Sequence, residues 1–270
     1  MDLTTVTRIR APRTRDELRL APGEGFLAGG SALFAEPTTL TGLVDLTAMG
    51  WPAETASESG LTVAATCSIA ELLAVPSRED WPALHLIRRC AESLYMSFKV
   101  WPQATVGGNI ATALPAGAMT SLAASLDARI LVWRADGTDE RVPATAFVTG
   151  NQTTVLSDGD VLRAIEFDAE ILRQHTAFRQ TSLSPVGRTA TLLIGRIDPE
   201  RGLVLTITGG TEHPEQFAYI EPPSPDVLAA DFARVDSWFT DPHGEADWRR
   251  HVSTLLAVEI VTELTEASWT

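Results

Sequence analysis

The chain has 270 residues, 44% hydrophobic and 21% charged, which is globular composition with enough apolar mass for two or three subdomains and excludes a disordered polyelectrolyte. Its net charge of −14, with Lys99 the only lysine, excludes the clustered basic surface that nucleic-acid binding requires. Cys67 and Cys90 lie far apart without a CxxC or a histidine at ligand spacing, so no iron–sulfur cluster or structural zinc is encoded. The N-terminal MDLTTVTRIR lacks an apolar signal region and no run of about 18 apolar residues occurs, so the expectation is a soluble, cytoplasmic protein without a membrane span.

In chain order, residues 5–10 alternate as a short strand, and Thr14-Arg-Asp-Glu17 is a capping-box pattern that starts a short helix. Phe26-Leu27-Ala28 is a strand that stops at Gly29-Gly30, and residues 42–46 form another. Residues 61–66 read as a strand, after which Ser68 and Glu71 form a second capping box. From Asp80 to Phe98 the positions Trp81, Leu84, Ile87, Leu94 and Tyr95 share one helical face, with Arg88, Arg89 and Glu92 outward. Short β-rich runs at 129–134, 141–148, 152–156 and 160–168 are separated by Asp-Gly and related turns, which predicts an antiparallel sheet. Three more strands (176–182, 188–197, 202–209), a Pro-rich loop at 221–225 and two helices (about 226–239 and 245–266) close the chain. The division is 1–55, 56–170 and 171–270: two α/β subdomains followed by a C-terminal α+β domain with a three-stranded antiparallel sheet and helices, α+β overall.

The chemically informative segments are two Gly-Gly loops, AGGSA at 28–32 and TVGGN at 105–109. Without a Cβ, peptide N–H groups can converge on an anion such as a pyrophosphate, so neutral loops can hold a dinucleotide. Rival phosphate motifs are missing: there is no GxxxxGK[ST], and the one GxGxxA match, Gly23-Glu-Gly25-Phe-Leu-Ala28, precedes a strand where a Rossmann fingerprint follows one.

The order Phe-Leu-Ala-Gly-Gly-Ser-Ala-Leu (26–33), Leu-Val-Asp-Leu (43–46), Gln-Ala-Thr-Val-Gly-Gly-Asn-Ile-Ala (103–111), Leu-Asp-Ala (126–128) and Thr-Ala-Phe-Arg-Gln (176–180) resembles the FAD-binding medium subunit of the xanthine dehydrogenase and carbon monoxide dehydrogenase (molybdenum hydroxylase) family. The resemblance covers nearly the whole chain and implies a PCMH-type FAD-binding fold. It implies that FAD sits between the first two subdomains, its pyrophosphate clasped by both loops. Carried over by position, the implied contacts are Leu27, Ala28, Gly29, Gly30, Ser31, Ala32, Leu33, Thr105, Val106, Gly107, Gly108, Asn109, Thr112, Leu162 and Arg179. The amides of Gly29, Gly30 and Gly108 and the hydroxyls of Ser31 and Thr105 are the expected phosphate donors, and Arg179, in place of a family lysine, the expected charge near the flavin ring. Relatives carry a Ser-Pro-x-x-Asp segment after the second loop; here Leu114-Pro-Ala-Gly-Ala118 puts alanine at the aspartate position.

No catalytic acid or base and no metal ligand is assigned. The resemblance implies a hetero-oligomer with a large molybdenum-cofactor subunit and a small subunit holding two [2Fe-2S] clusters, molybdopterin and iron–sulfur lying on those partners. This chain is then the electron-transfer flavoprotein, an oxidoreductase subunit that passes electrons to an external acceptor. A flavin-poor scaffold subunit of the same complex and a stand-alone flavin oxidoreductase are the alternatives.

Overall fold

The computed structural model describes residues 3–34 and 38–267. Strands β1 (Arg8–Arg10), β2 (Glu24–Leu27) and β3 (Gly42–Asp45) make a three-stranded sheet in the order β1-β3-β2, both pairs parallel. A 3-10 turn at Arg15–Leu18 joins the first two, and Glu17 reaches back to accept from the amides of Arg13 (2.6 Å) and Thr14 (3.3 Å), as the capping pattern predicts. At the start of β2 the buried Glu24 carboxylate is held by Arg8 (2.8 Å), Arg10 (2.7 Å) and the amide of Ala21 (2.9 Å), so the charge is paired. The sheet is too small for its own core. Leu18, Val44 and Leu46 pack on Val161 and Trp133 of the next unit.

That unit is a five-stranded antiparallel sheet of β4 (Glu54–Ser57), β5 (Gly60–Ala64), β6 (Arg129–Trp133), β7 (Asp139–Pro143) and β10 (Val161–Asp168), ordered β4-β5-β10-β6-β7. Between β5 and β6 run α1 (Ile69–Leu73), α2 (His85–Ser93), α3 (Val106–Thr112) and α4 (Ala118–Ser125). A single turn α5 (Ala144–Phe147) and the ribbon β8 (Val148–Gly150) and β9 (Thr153–Thr154) complete it. All eight residues of α4 are buried, because α2, α3 and the third sheet cover it from different sides. The helix expected from Asp80 to Phe98 is shorter. A 3-10 turn at Pro82–Leu84 leads into α2, which stops at Ser93, where Leu94 turns extended and the Ser93 hydroxyl donates to the Cys90 carbonyl (2.7 Å).

After a turn α6 (Ala169–Leu172), the strands β11 (Thr176–Thr181), β12 (Thr191–Asp198), β13 (Gly202–Thr208) and β14 (Glu215–Tyr219) form an antiparallel meander covered by α7 (Pro225–Phe232) and α8 (Ala246–Ala267). The sheet has four strands rather than the expected three. β14, with Pro214 before it and Glu215 and Gln216 leading, lacks an apolar run, yet it pairs with β13 and brings Phe217 to 5.3 Å from Phe232 of α7. The helix expected over 226–239 ends at Phe232, since Trp238 returns to bridge Thr211 and donates its indole N–H to the Phe232 carbonyl (3.0 Å). The second and third units are joined through the buried Arg196 guanidinium. It donates to the Ser125 carbonyl (3.0 Å), Gln174 (2.6 Å), Asp198 (2.7 Å) and Asp127.

Candidate functional site

A cleft of about 610 Å³ opens between the first sheet and the helical side of the second unit. Its walls include the loop that follows β2, the start of α3 with the stretch leading into it, the first residues of β10 and the segment after α2. At the end of β2 the chain passes through Ala28 and Gly29 into a turn closed by the Phe34 amide donating to the Gly30 carbonyl (2.9 Å), with Gly30 at φ 72°. Gly29 lies so near the segment before α3 that a Cβ there would fall 1.8 Å from the Gln103 carbonyl oxygen. Only glycine allows that approach.

The second loop is sewn to the strand end that precedes α1. The Val106 amide donates to the Cys67 carbonyl and that of Gly107 to the Ala65 carbonyl, both at 2.9 Å, and Ile69 donates back to Ala104 (2.8 Å). A Cβ on Gly107 would meet that of Ala65 at 2.4 Å. Thr105 then caps α3, its Oγ1 accepting from the Gly108 amide at 3.1 Å. The Ser68–Glu71 capping box expected nearby is formed, with the Glu71 carboxylate on the Ser68 amide (2.8 Å) and the Glu71 amide on Ser68 Oγ (3.1 Å).

The two loops thus contribute differently. In the α3 loop the amides of Val106, Gly107, Gly108 and Asn109 all donate within the protein, so the Gly108 amide, expected on a phosphate, is already engaged. In the β2 loop the peptide N–H groups of Gly29, Gly30, Ser31, Ala32 and Leu33 have no acceptor among the described residues. Five donors without a described acceptor along one short turn are thus available to an anion. The Thr105 hydroxyl, buried and with its proton uncommitted, faces the same cleft, whereas the Thr112 hydroxyl donates to the Gly108 carbonyl (2.7 Å). The Asn109 side chain accepts from the Met119 amide (3.0 Å), and its Nδ2 has no acceptor among the described residues.

Of the fifteen expected contacts, Leu27, Ala28, Gly29, Gly30, Ser31, Ala32, Leu33, Thr105, Gly107, Gly108, Asn109, Thr112 and Leu162 line this one cleft. Two do not. Val106 is 2% exposed and points into the core beneath α3. Arg179, on β11, is turned onto α8, where its guanidinium pairs with Glu259 and Glu263, each at 2.7 Å. Two carboxylates one helical turn apart satisfy the cation that the sequence offered to a flavin ring. Ala118, at the position of the family aspartate, is buried in the first turn of α4 and does not line the cleft.

Sequence reasoning missed Tyr95, Met96 and Ser97, which form the opposite wall. Tyr95, expected on the apolar face of a helix over 80–98, lies beyond the end of α2 and is 70% exposed. The available signal was the turn chemistry of Ser97, whose hydroxyl accepts from the Lys99 amide (3.3 Å), ahead of Pro102. Asp160 was also missed. Burial pushes its carboxyl upward, but the amides of Ser157 and Ala135 and the Arg134 guanidinium outweigh this and hold it ionised, below the ordinary value. No lysine, arginine or histidine among the described residues lines the cleft, so the donors it offers an anion are peptide dipoles and hydroxyls.

These features fit a dinucleotide: a cradle open only because Gly29 lacks a Cβ, five free amides, apolar walls from Phe26, Leu27, Leu33 and Leu162, and a volume in the range of cofactor sites. The family described as the FAD binding domain in molybdopterin dehydrogenase matches residues 21–167, more than half of the chain and every element of the cleft. The chain belongs to this family.

FAD is therefore the cofactor of this oxidoreductase-family chain. No curated protein sequence matches it. Among solved structures it is similar to a chain of quinoline 2-oxidoreductase from Pseudomonas putida 86, at 18% identity and TM-score 0.81 over 100% of both chains. It is also similar to a chain of a carbon monoxide dehydrogenase from Hydrogenophaga pseudoflava that lacks the Mo-pyranopterin moiety of its molybdenum cofactor (17% identity, TM-score 0.82, 95% of this chain and 96% of that one). A reconstituted CO dehydrogenase from Oligotropha carboxidovorans matches at 18% identity and TM-score 0.80, again over 95% and 96%. At these identities the likeness speaks for the fold, which extends through the third unit. No helix among the described residues is long and apolar enough to cross a membrane, and no group of His, Cys, Asp and Glu among them is arranged to hold a metal ion.

Proposed function

We propose that this flavoprotein is the electron-transfer subunit of a molybdenum hydroxylase, taking electrons from a [2Fe-2S] partner subunit and passing them to an external acceptor. The observation that carries the reading is the run of free amides at 29–33 in the wall of a cleft large enough for the cofactor. In this reading the FAD diphosphate is held by those amides and by the hydroxyls of Ser31 and Thr105, while Leu27, Ala28, Ala32, Leu33 and Leu162 enclose the apolar parts. Gly107 and Gly108 keep the α3 loop close without side chains that fill the cleft, and Asn109 and Thr112 border it. FAD supplies, when bound, the capacity to accept single electrons and release two. The chain itself supplies position, a dry apolar wall and neutral donors.

Among the described residues the cleft has no candidate general base: both Asp160 oxygens are engaged and no histidine lines it. That favours transfer of electrons over substrate chemistry, and it leaves hydroxylation to a large molybdenum-cofactor subunit. The test is co-expression with a large molybdenum-cofactor subunit and a small [2Fe-2S] subunit, followed by reduction of the purified assembly with the substrate of the large subunit. Bleaching of the flavin band that is lost when the [2Fe-2S] subunit is omitted supports the assignment. A flavin reduced equally well without that subunit speaks for a stand-alone oxidoreductase.

A further inference from the structure

The sheet of β1, β2 and β3 shares no hydrogen-bond ladder with the rest of the chain. Among the described residues no backbone hydrogen bond runs from its strands to the second unit. Side-chain hydrogen bonds cross from Arg15, which donates to Asp139 (2.6 Å) and to the Thr138 carbonyl (2.8 Å). The apolar contact is a small cluster whose buried members are Leu18, Val44, Leu46 and Val161. The chain itself crosses at Gly50, which stands at φ 64° after the 3-10 turn Leu46–Met49, with open space where a Cβ would be. A small sheet held by one covalent crossing and by side chains is free to turn as a body, which a sheet paired strand to strand is not.

What fixes it is a ladder of guanidinium and indole groups. Trp51, the residue after Gly50, meets the Trp133 ring edge-on with centroids 5.5 Å apart. The Arg163 guanidinium lies 4.1 Å from the centre of the Trp51 ring and 5.4 Å from that of Trp133. Arg15 reaches over from the first unit to 4.7 Å from the centre of Trp133. Arg163 stands at a bulge of β10, where the register on β6 shifts between Leu162 and Ala164, a device that re-aims a side chain. Asp160, Val161 and Leu162, just before it, line the flavin cleft. Half-buried Arg163 has no carboxylate partner among the described residues, and burial alone pushes its guanidinium below the ordinary value. Opening the ladder therefore returns a cation to water and strands no buried counter-charge.

We infer that the first sheet is a flap over the flavin cleft, pivoting at Gly50 and latched by the Arg15–Trp133–Arg163–Trp51 ladder, and that release of the latch admits and discharges the cofactor. The passage of cofactor rests on FAD occupying the cleft; the flap and its latch do not. Arg15, Trp133 and Arg163 do not line the cleft, so they act on the cofactor only through the position of the flap.

The test is amide hydrogen exchange on the full chain, read strand by strand by mass spectrometry, for wild type, Arg15→Met and Arg163→Met. Both variants keep an unbranched apolar side chain and remove the cation. In each, β1, β2 and β3 should exchange faster by about fivefold or more, while β5, β12 and β13 keep the wild-type rate. FAD release, followed by flavin fluorescence after dilution, should quicken by about the same factor, and saturating FAD should slow exchange in β1, β2 and β3 of wild type. Unchanged exchange of these strands in either variant overturns the proposal, as does an acceleration shared equally by β5 and β12, which would be general loosening. FAD leaving at the wild-type rate from variants whose first sheet exchanges faster overturns the gating. A chain that takes up no FAD contradicts the flavin reading alone, and hydrogen exchange still decides the flap.

Discussion

Gly29→Ala adds a single methyl group at the narrowest point of the flavin cleft. Its Cβ would lie 1.8 Å from the Gln103 carbonyl oxygen, 2.7 Å from the carbonyl carbon and 3.1 Å from the Ala104 Cα. All three are backbone atoms that no side-chain rotation moves away. Relief to an ordinary contact requires the loop at 28–33 and the segment at 101–104 to part by about 1.5 Å, which overpacking at a backbone contact forces rather than absorbs. A donor displaced that far no longer makes a hydrogen bond. If two of the five free amides lose the diphosphate, each charge-assisted bond contributing about 1.5 to 3 kcal/mol, FAD affinity falls by on the order of a hundredfold or more. The loop is partly exposed and outside the main core, so the thermal midpoint of the apoprotein should move by only a few degrees. The assay is the FAD dissociation constant by fluorescence quenching, with unfolding of the apoprotein followed by circular dichroism. FAD binding by Gly29→Ala within threefold of wild type, at an unchanged midpoint, would refute the reasoning.

Three further outcomes follow from the same geometry. Gly107→Ala drives a methyl group to 2.4 Å from the Ala65 side chain within the core of the second unit, so urea unfolding should show a loss of about 1–3 kcal/mol, with the slope unchanged. Arg179→Met removes a guanidinium that serves α8 and not the cleft; FAD affinity should stay within twofold, and the two partly exposed ion pairs should contribute no more than about 1 kcal/mol to stability. The Arg10 guanidinium beside Glu24, together with the Ala21 amide, lowers that carboxyl from 4.5 to about 2. A depressed carboxyl stabilises the fold above its unfolded value and loses that contribution as pH falls, so wild type should weaken between about pH 4.5 and 2, and Glu24→Gln should flatten that part of the profile in chemical unfolding at stepped pH.

Much of the site is legible in the sequence, because its loops are local. Gly29-Gly30 interrupts an apolar strand, Thr105 precedes α3 as a cap, and Ser68 and Glu71 form their capping box from residues three apart. What the sequence does not display depends on partners distant along the chain. The fate of Arg179 is decided by Glu259 and Glu263 on α8, about eighty residues later. The end of α2 is set partly by Thr189, whose hydroxyl donates to the Ser93 carbonyl (3.0 Å) from the third unit, and this frees Tyr95 to line the cleft. Equally, nothing local distinguishes the two Gly-Gly pairs. The carbonyls of Ala65 and Cys67 take the amides of Gly107 and Val106 and Thr105 takes those of Gly108 and Asn109, while the first loop meets no such strand end. β14 carries little signal for a related reason, since an edge strand with one covered face needs only Phe217 and Tyr219 to be apolar.

The central expectation is that the full chain holds FAD in the cleft between its first two units. The most direct measurement is the absorbance spectrum of the purified protein, before and after dialysis against excess FAD, with bands expected near roughly 375 and 450 nm. One FAD per chain, bleached by dithionite and lost in Gly29→Ala, is the predicted result. A colourless chain that takes up no added FAD would contradict it.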